Sequence, residues 1–146
     1  MKQNPKDFPE SCVRGIPNPD YVYENNTMLE LDAFQFQRSH HNKEWLEESI
    51  NWNDEENVIN FTLQTKEKNG DIKYRGGVAL IPERKLRKLK ARFRTLNLFD
   101  YERSPIDGIN PYHGNLLIKT GINKTRKRVI RSAIVLACDK IIPHKV

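Results

Sequence analysis

The chain has 146 residues, of which 37% are hydrophobic and 30% charged, and its formal net charge is +6. This length suits one folded domain, and the spread of aromatic and β-branched residues argues against a disordered chain. No stretch approaches the roughly 20 apolar residues of a membrane span, and residues 1–10 lack the apolar core of a signal peptide, so we expect a cytoplasmic protein with no membrane partner.

The charge is divided unevenly between the two halves of the chain. Residues 1–65 hold 5 Lys or Arg and 12 Asp or Glu, a balance of −7, whereas residues 66–146 hold 20 and 7, a balance of +13. Such asymmetry indicates a nucleic acid, an anionic surface or an acidic protein as partner. The competing explanation is that the acidic half neutralises the basic half within the fold.

The first half of the chain predicts short elements. Four prolines within residues 1–20 predict an irregular, extended lead-in, with a single domain over residues 21–146. Two short strands at about 21–23 and 28–36 then flank an asparagine turn. In residues 43–50 the apolar residues recur on a common side, which predicts one or two helical turns.

A hairpin and a helix are predicted next. Residues 58–64 alternate and are rich in strand formers, residues 68–71 supply a tight turn, and residues 72–81 resume the strand pattern. Pro82 suits the first position of a helix, and leucine and phenylalanine then recur at helical spacing. A helix over residues 82–96 follows from this pattern.

The C-terminal part predicts a loop, a strand and a long helix. Turn residues fill 99–113, a short strand covers 115–119, and Asn123 caps a final helix of about 18 residues that Pro143 stops. Strands and helices do not alternate regularly along the chain. The predicted fold is therefore α+β, an antiparallel or mixed β-sheet with two main helices packed on one face.

The predicted helix over residues 82–96 is basic almost everywhere outside its apolar stripe. Like charges three and four residues apart destabilise an isolated helix by a few tenths of a kcal/mol each, so nearby anions would stabilise this one. Those anions are either phosphates of a ligand or carboxylates of the acidic half. The candidate nucleic-acid-binding residues of this helix are Arg84, Lys85, Arg87, Lys88 and Arg92.

A second basic cluster opens the final helix. The first turns of a helix carry partial positive charge, which disfavours cations and favours a bound anion. A cluster that opposes this local preference is typical of a functional site, and here it predicts phosphate or carboxylate binding by Lys124, Lys127, Arg128 and Arg131. Aromatic residues of the basic half could stack on bases, with Tyr112 as the chosen candidate; the others are Tyr74, Phe93, Phe99 and Tyr101.

Residues 101–115 form the segment that most resembles a catalytic loop. His113 is the candidate general base and Asp107 would orient it. Arg103, or alternatively Arg75, would stabilise an anionic transition state, as metal-free RNA cleavage requires. A histidine that only hydrogen-bonds its own loop fits the same pattern. The adjacent pair His40 and His41 points in divergent directions, so no metal site is predicted, and no motif indicates a cofactor.

Three functions are compatible with these patterns. The first is a small nucleic-acid-binding domain that contacts an RNA or DNA backbone through its two basic helices. The second is a protein-interaction subunit of a heteromeric or toxin–antitoxin-like assembly, which binds an acidic partner. The third is a metal-independent RNA-cleaving enzyme that uses residues 101–115. Overall the residues favour a binding protein, and Cys12 and Cys138 are predicted to be reduced thiols.

Overall fold

The computed structural model describes residues 11–23, 28–38 and 43–144. In this part of the chain a mostly antiparallel sheet of seven strands and three helices make an α+β fold, which confirms the predicted class. The helices are α1 (Val58–Leu63), α2 (Glu83–Arg92) and α3 (Lys124–Ala137). The strands are β1 (Ser11–Ile16), β2 (Val22–Tyr23), β3 (Met28–Leu29), β4 (Gln37–Arg38), β5 (Trp45–Trp52), β6 (Gly77–Pro82), β7 (Phe99–Arg103), β8 (His113–Lys119) and β9 (Lys140–Ile142).

The order of strands in the large sheet is β7-β8-β5-β1-β6-β9, and β4 pairs with the beginning of β5. The strands β2 and β3 form a separate two-stranded ladder, as the sequence predicts for 21–23 and the following strand. Residues 31–33 form a 3-10 turn, so the expected continuation of that strand to residue 36 is wrong. The predicted asparagine turn between β2 and β3 lies outside the described residues.

Strand β1 lies at the centre of the sheet although it belongs to the predicted lead-in. It pairs with β6 over all six residues and with β5 through Cys12 and Val13. Cys12, Val13 and Ile16 are completely buried. The prediction of an irregular lead-in is therefore wrong for residues 11–16. The prolines that suggested it lie at positions 5, 9, 17 and 19, outside the strand, and leave it uninterrupted.

Strand β5 replaces the helical turns predicted for residues 43–50. It pairs with β8 over seven residues, from Trp45 opposite Lys119 to Asn51 opposite His113. The even-numbered side chains of Leu46, Ile50 and Trp52 face the main core, so most of the apolar residues fit a period of two. The segment is too short for periodicity alone to distinguish the two structures.

Helix α1 replaces the first strand of the predicted hairpin, and β6 begins only at Gly77. Its residues Val58 and Thr62 are buried four positions apart, and the Thr62 hydroxyl donates to the Val58 carbonyl at 2.9 Å. Burial against Val13 outweighs the weak strand preference of these residues. The tight turn at 68–71 is confirmed by an antiparallel bridge that joins residues 66 and 72 on either side of it.

Helices α2 and α3 pack on one face of the sheet and α1 on the other. Leu86 of α2 and Ile134 of α3 belong to the main core together with Cys12, whereas Val13, which points to the opposite face, packs against Val58 of α1. The prediction of two main helices on one face is confirmed. No helix in the described ranges is long and apolar enough to cross a membrane.

The ends of the C-terminal elements differ from prediction in two places. The expected loop over 99–113 begins with strand β7, because Phe99 is fully buried and pairs with β8, so irregular chain starts only at Ser104. Helix α3 starts after its predicted cap, where the Asn123 side chain accepts the Arg126 backbone N–H at 2.8 Å. It ends at Ala137, since the chain then turns into β9 and pairs with β6.

Candidate nucleic-acid interface

Helices α2 and α3 run antiparallel, and this brings the C-terminal end of the α2 cluster next to the α3 cluster. Lys85, near the beginning of α2, has its Nζ 3.4 Å from Oδ1 of Asp139, just beyond the end of α3. At the opposite end Arg92 lines a surface cleft together with Thr125 and Arg128. The packing therefore unites clusters that are more than 30 residues apart in the sequence.

The cations of α2 are neutralised only in part by the acidic residues of the protein. Lys85 pairs with Asp139, and Nζ of Lys90 lies 2.9 Å from Oδ1 of Asp100. The other cations of this face are exposed and have no ion-pair partner in the part of the chain that the structure describes. These unpaired residues are Arg84, Arg87, Lys88 and Arg92.

Arg131 of α3 differs from its neighbours because its guanidinium is used inside the fold. Its Nε donates to the carbonyl oxygen of Phe34 at 2.6 Å and its Nη2 to that of Leu31 at 2.8 Å, and Nη2 lies 3.5 Å from Oδ1 of Asp32. These contacts hold α3 against the 3-10 turn at residues 31–33. Arg131 thus has a structural role that its predicted part in phosphate binding did not include.

Two adjoining clefts lie at the amino-terminal end of α3 and share Lys124 and Lys127. The larger, of about 730 Å³, is lined by the cations Arg38, Lys43, Lys124 and Lys127, by Trp45 and Leu46, and by the turn at residues 120–122. The smaller, of about 520 Å³, is lined by Glu30, Leu31, Asp32, Lys124, Lys127, Arg128 and Arg131. We call the surface formed by five of these cations the basic groove: Arg38, Lys43, Lys124, Lys127 and Arg128.

The electrostatics of the basic groove are those of a crowded cationic surface. Partial burial lowers the pKa of Lys127, and the nearby Arg131 guanidinium lowers it further, against a smaller opposing effect of the Glu48 carboxylate. An anion in the groove would reverse this repulsion and favour the charged form of Lys127. The arrangement is therefore suited to a ligand that carries several negative charges.

Tyr112 is placed away from both basic helices. Its hydroxyl donates to Oε2 of Glu55 at 2.9 Å, and its ring meets that of Phe61 edge-on at 5.2 Å between centroids. The hydrogen bond to Glu55 raises the pKa of Tyr112, with smaller contributions from desolvation and the charge of Asp54. The structure thus puts Tyr112 on the α1 face beside carboxylates and does not bring it together with the two basic helices.

The predicted catalytic residues do not form the expected arrangement. Nδ1 of His113 lies 2.8 Å from the Ser104 carbonyl oxygen, and Nε2 lies 3.3 Å from Oγ of Ser49. The Ser104 carbonyl therefore orients the ring, and Asp107 does not. Because a carbonyl oxygen only accepts, Nδ1 carries a proton and donates to the Ser104 carbonyl. His113 and Ser49 line a cavity of about 230 Å³ on the α1 face.

Arg103 is likewise engaged elsewhere. It forms two hydrogen bonds with the Asp54 carboxylate, at 2.5 and 2.9 Å, and its guanidinium lies 4.8 Å from the centroid of the Trp52 ring. Bidentate pairing of this kind is among the strong hydrogen-bonded ion pairs, and it engages the Arg103 guanidinium with Asp54. A catalytic role for His113 stays a prediction. The structure does not bring Asp107 and Arg103 to it as the expected partners.

Comparison with known proteins found no family model, no curated protein and no solved structure that matches this chain. Among the residues whose positions the structure gives, no three or more His, Cys, Asp or Glu side chains are grouped as a metal site would require. His40 and His41 lie outside those residues. The candidate interface is thus defined by its cations and its clefts.

Sequence reasoning missed two cations of the basic groove, Arg38 and Lys43. Each is an isolated positive charge in the acidic half and lies more than 80 residues from Lys124. Pairing of β4 with β5, and of β5 with β8, carries both to the end of α3. No local pattern could have identified them, because the juxtaposition depends on long-range strand pairing.

Proposed function

We propose that this protein binds the backbone of a nucleic acid, RNA or DNA, across the basic groove and the outer face of α2. One observation carries the proposal. Five cations surround two adjoining clefts, and within the described ranges none of them is ion-paired with a carboxylate. A surface of this kind attracts phosphates, and the release of their counterions supplies the free energy of binding.

The acidic residues near the groove do not cancel its charge. Glu30 and Asp32 line the smaller cleft, where they face four cations. Asp32 is already engaged by Arg131. The larger cleft has four cations and no carboxylate among its lining residues. The net charge of both clefts is positive, which supports an anionic ligand over internal neutralisation.

The proposed binding is to the backbone and not to the bases. Reading a single strand by stacking needs an aromatic ring that is open to solvent beside the cations. Phe99 is fully buried and Tyr112 lies on the α1 face. Trp45 lines the larger cleft, but its ring is half-buried and the Lys119 ammonium lies 5.0 Å from its centroid. Backbone contacts position a protein on nucleic acid and carry no direct sequence information, so we expect little sequence preference.

The proposal is tested by fluorescence anisotropy with a labelled single-stranded RNA of about 20 nucleotides and a DNA duplex of the same sequence, at about 50 mM salt. The groove variant replaces Lys124, Lys127 and Arg128 by Gln. The control variant replaces Lys66, Lys68 and Lys73 by Gln, which removes the same charge from exposed residues at and near the turn at 68–71.

The groove variant is expected to bind at least about tenfold more weakly than wild type, whereas the control variant loses less than about threefold. Equal losses would mean that net charge alone drives association and that the groove is not the site. If the wild-type protein binds neither probe at about 50 mM salt, where electrostatic binding is strong, the proposal is wrong.

A further inference from the structure

An exposed apolar strip follows the junction of α2 and α3. In the described residues seven large apolar side chains are exposed, and three of them lie on this strip: Leu96 at 56%, Val129 at 43% and Leu136 at 79%. Scattered exposed leucines are ordinary, but an apolar patch rimmed by polar residues is typical of an interaction surface. The strip is separate from the basic groove except at its edge.

The strip is concave and has two compartments. One cleft of about 380 Å³ is lined by Phe93, Leu96 and Ile130 among others, and a second of about 340 Å³ by Ala133 and Leu136. Both clefts are lined by Val129 and Arg92. Val129, Ala133 and Leu136 are four and seven positions apart, so they follow one line for about 10 Å along α3. This is the spacing at which a groove accepts the apolar face of a helix.

Arginines form the rim of both clefts. Arg126 lines the first cleft, Arg128 the second and Arg92 both, and no Asp or Glu lines either. None of the three arginines forms an ion pair within the residues that the structure covers. The occupant that fits this surface is therefore apolar along its centre and negatively charged along its edges.

Charge complementarity distinguishes between the occupants that could cover the strip. A second copy of the chain would bring the same arginines towards one another, which costs free energy at an interface. A nucleic-acid backbone would meet the arginines but would leave Leu136 in water. An acidic amphipathic helix meets both requirements, since its apolar side chains fill the clefts while its carboxylates face the rim.

We propose that the α2–α3 strip is a docking site for an acidic amphipathic helix of a partner protein, with apolar anchors at positions i, i+4 and i+7. This inference goes beyond nucleic-acid binding and concerns a different ligand. The two sites share Arg92 and Arg128 at their boundary. A docked acidic helix would consequently compete with nucleic acid for these two residues.

The probe is a fluorescein-labelled synthetic peptide of about five helical turns, with Leu at i, i+4 and i+7 and Glu on its flanks. A scrambled peptide of identical composition has no apolar face, and a third peptide carries Lys in place of Glu. Anisotropy titrations at about 150 mM salt, where surface charge is screened beyond about 8 Å, measure the three affinities.

We expect the acidic amphipathic peptide to bind at least about tenfold more tightly than either control peptide, and Leu136→Ser to weaken it by about tenfold. Ile109→Ser is the matched control, because Ile109 is 74% exposed and lies on the loop before β8. Neither variant should change the melting temperature or the affinity for RNA, so the result is independent of the test of nucleic-acid binding.

Three results would overturn the inference. Equal binding of the amphipathic and scrambled peptides would show that charge alone attracts them. A dimer in light scattering that Leu136→Ser converts to a monomer would assign the strip to a second copy of the chain. Binding to vesicles of anionic lipid that depends on Leu136, without peptide binding, would assign it to a lipid surface.

Discussion

Nε of Arg131 donates to the carbonyl oxygen of Phe34 at 2.6 Å, and so links the basic face of α3 to a chain segment almost 100 residues earlier. The same guanidinium donates to the carbonyl oxygen of Leu31 at 2.8 Å. Phe34 is completely buried, so this link holds the segment over the core. Arg131 therefore has a structural role, whereas Arg128, three positions earlier, belongs to the basic groove.

The first prediction distinguishes the structural role of Arg131 from the role of Arg128 in the basic groove. Arg131→Gln should lower the free energy of unfolding by about 1–3 kcal/mol, because it removes charge-assisted hydrogen bonds to two carbonyl groups. Arg128→Gln is the control and should leave it within about 0.5 kcal/mol, since Arg128 is exposed and unpaired in the described structure. Urea unfolding measures both. Equal stabilities of the two variants would contradict the structural role of Arg131.

The second prediction concerns the buried ion pair that joins β1 to β5. Nη2 of Arg14 lies 2.6 Å from Oε1 of Glu48, with side-chain exposures of 8% and 11%, and Oε2 of Glu48 accepts the Phe36 backbone N–H. Arg14→Met leaves the carboxylate buried without its cation and should cost about 3–5 kcal/mol. The double variant Arg14→Met, Glu48→Gln should recover part of this loss. Additive effects in the urea-unfolding cycle would argue against direct coupling.

The third prediction concerns the outer face of α2. Replacing Arg84, Arg87, Lys88 and Arg92 by Gln should leave the melting temperature unchanged or raise it slightly, because like-charge repulsion within the helix is relieved. Lys90→Gln is the comparison variant, because it removes a cation of the same helix that is paired with Asp100. Differential scanning calorimetry compares the two variants. A sharp fall for the quadruple variant would mean that these residues are balanced within the fold.

The parts of the fold that sequence reasoning predicted correctly are those whose signals are local. Helices α2 and α3 are long enough for their apolar period to be distinctive, and Asn123 caps α3 as its side-chain chemistry predicts. Strand β5 and helix α1 are short and their residues fit two periods. Their conformation follows from the neighbours they pack against, which no local pattern contains.

The residues of the candidate site show the same difference between local and long-range signals. The unpaired cations of α2 and α3 were identified, since a dense run of charge is visible in the sequence. Arg38 and Lys43 were not, because only the register of β4, β5 and β8 brings them to the groove. The sequence predicts that Arg131 contacts the ligand, because the carbonyl groups that hold it lie 97 and 100 residues away and leave no local signal.

The fourth prediction uses the two free thiols. Burial raises the pKa of Cys138 to about 12 and raises that of Cys12 still further above its ordinary range. Since the thiolate is the reactive form, both should react slowly with a disulfide reagent at about pH 8 in the folded protein and quickly after unfolding. Fast labelling of Cys12 without unfolding would contradict its burial.

The sign of the pH dependence follows from the same shifts. A thiol whose pKa is raised by folding contributes stability that is fully present below its ordinary pKa near 9 and is lost as the pH rises towards the folded value. Stability measured by urea unfolding should therefore decline above about pH 9, and Cys138→Ala should reduce this decline. An unchanged alkaline profile for Cys138→Ala would show that other groups cause it.

The fifth prediction tests how the protein holds nucleic acid. Neutralising Z phosphates gives log K a slope against log salt of about −0.9Z for duplex DNA and about −0.7Z for a single strand. Replacing Lys124, Lys127 and Arg128 by Gln should therefore flatten the slope by about two to three units and weaken all sequences equally.

Tyr112→Leu should change neither slope nor affinity, because the ring lies on the α1 face beside Glu55. Anisotropy titrations at four or more salt concentrations, with two unrelated sequences, provide both quantities. A loss of about 1–3 kcal/mol for Tyr112→Leu at constant slope would mean that the ring stacks on a base and that the α1 face, not the basic groove alone, contacts the strand.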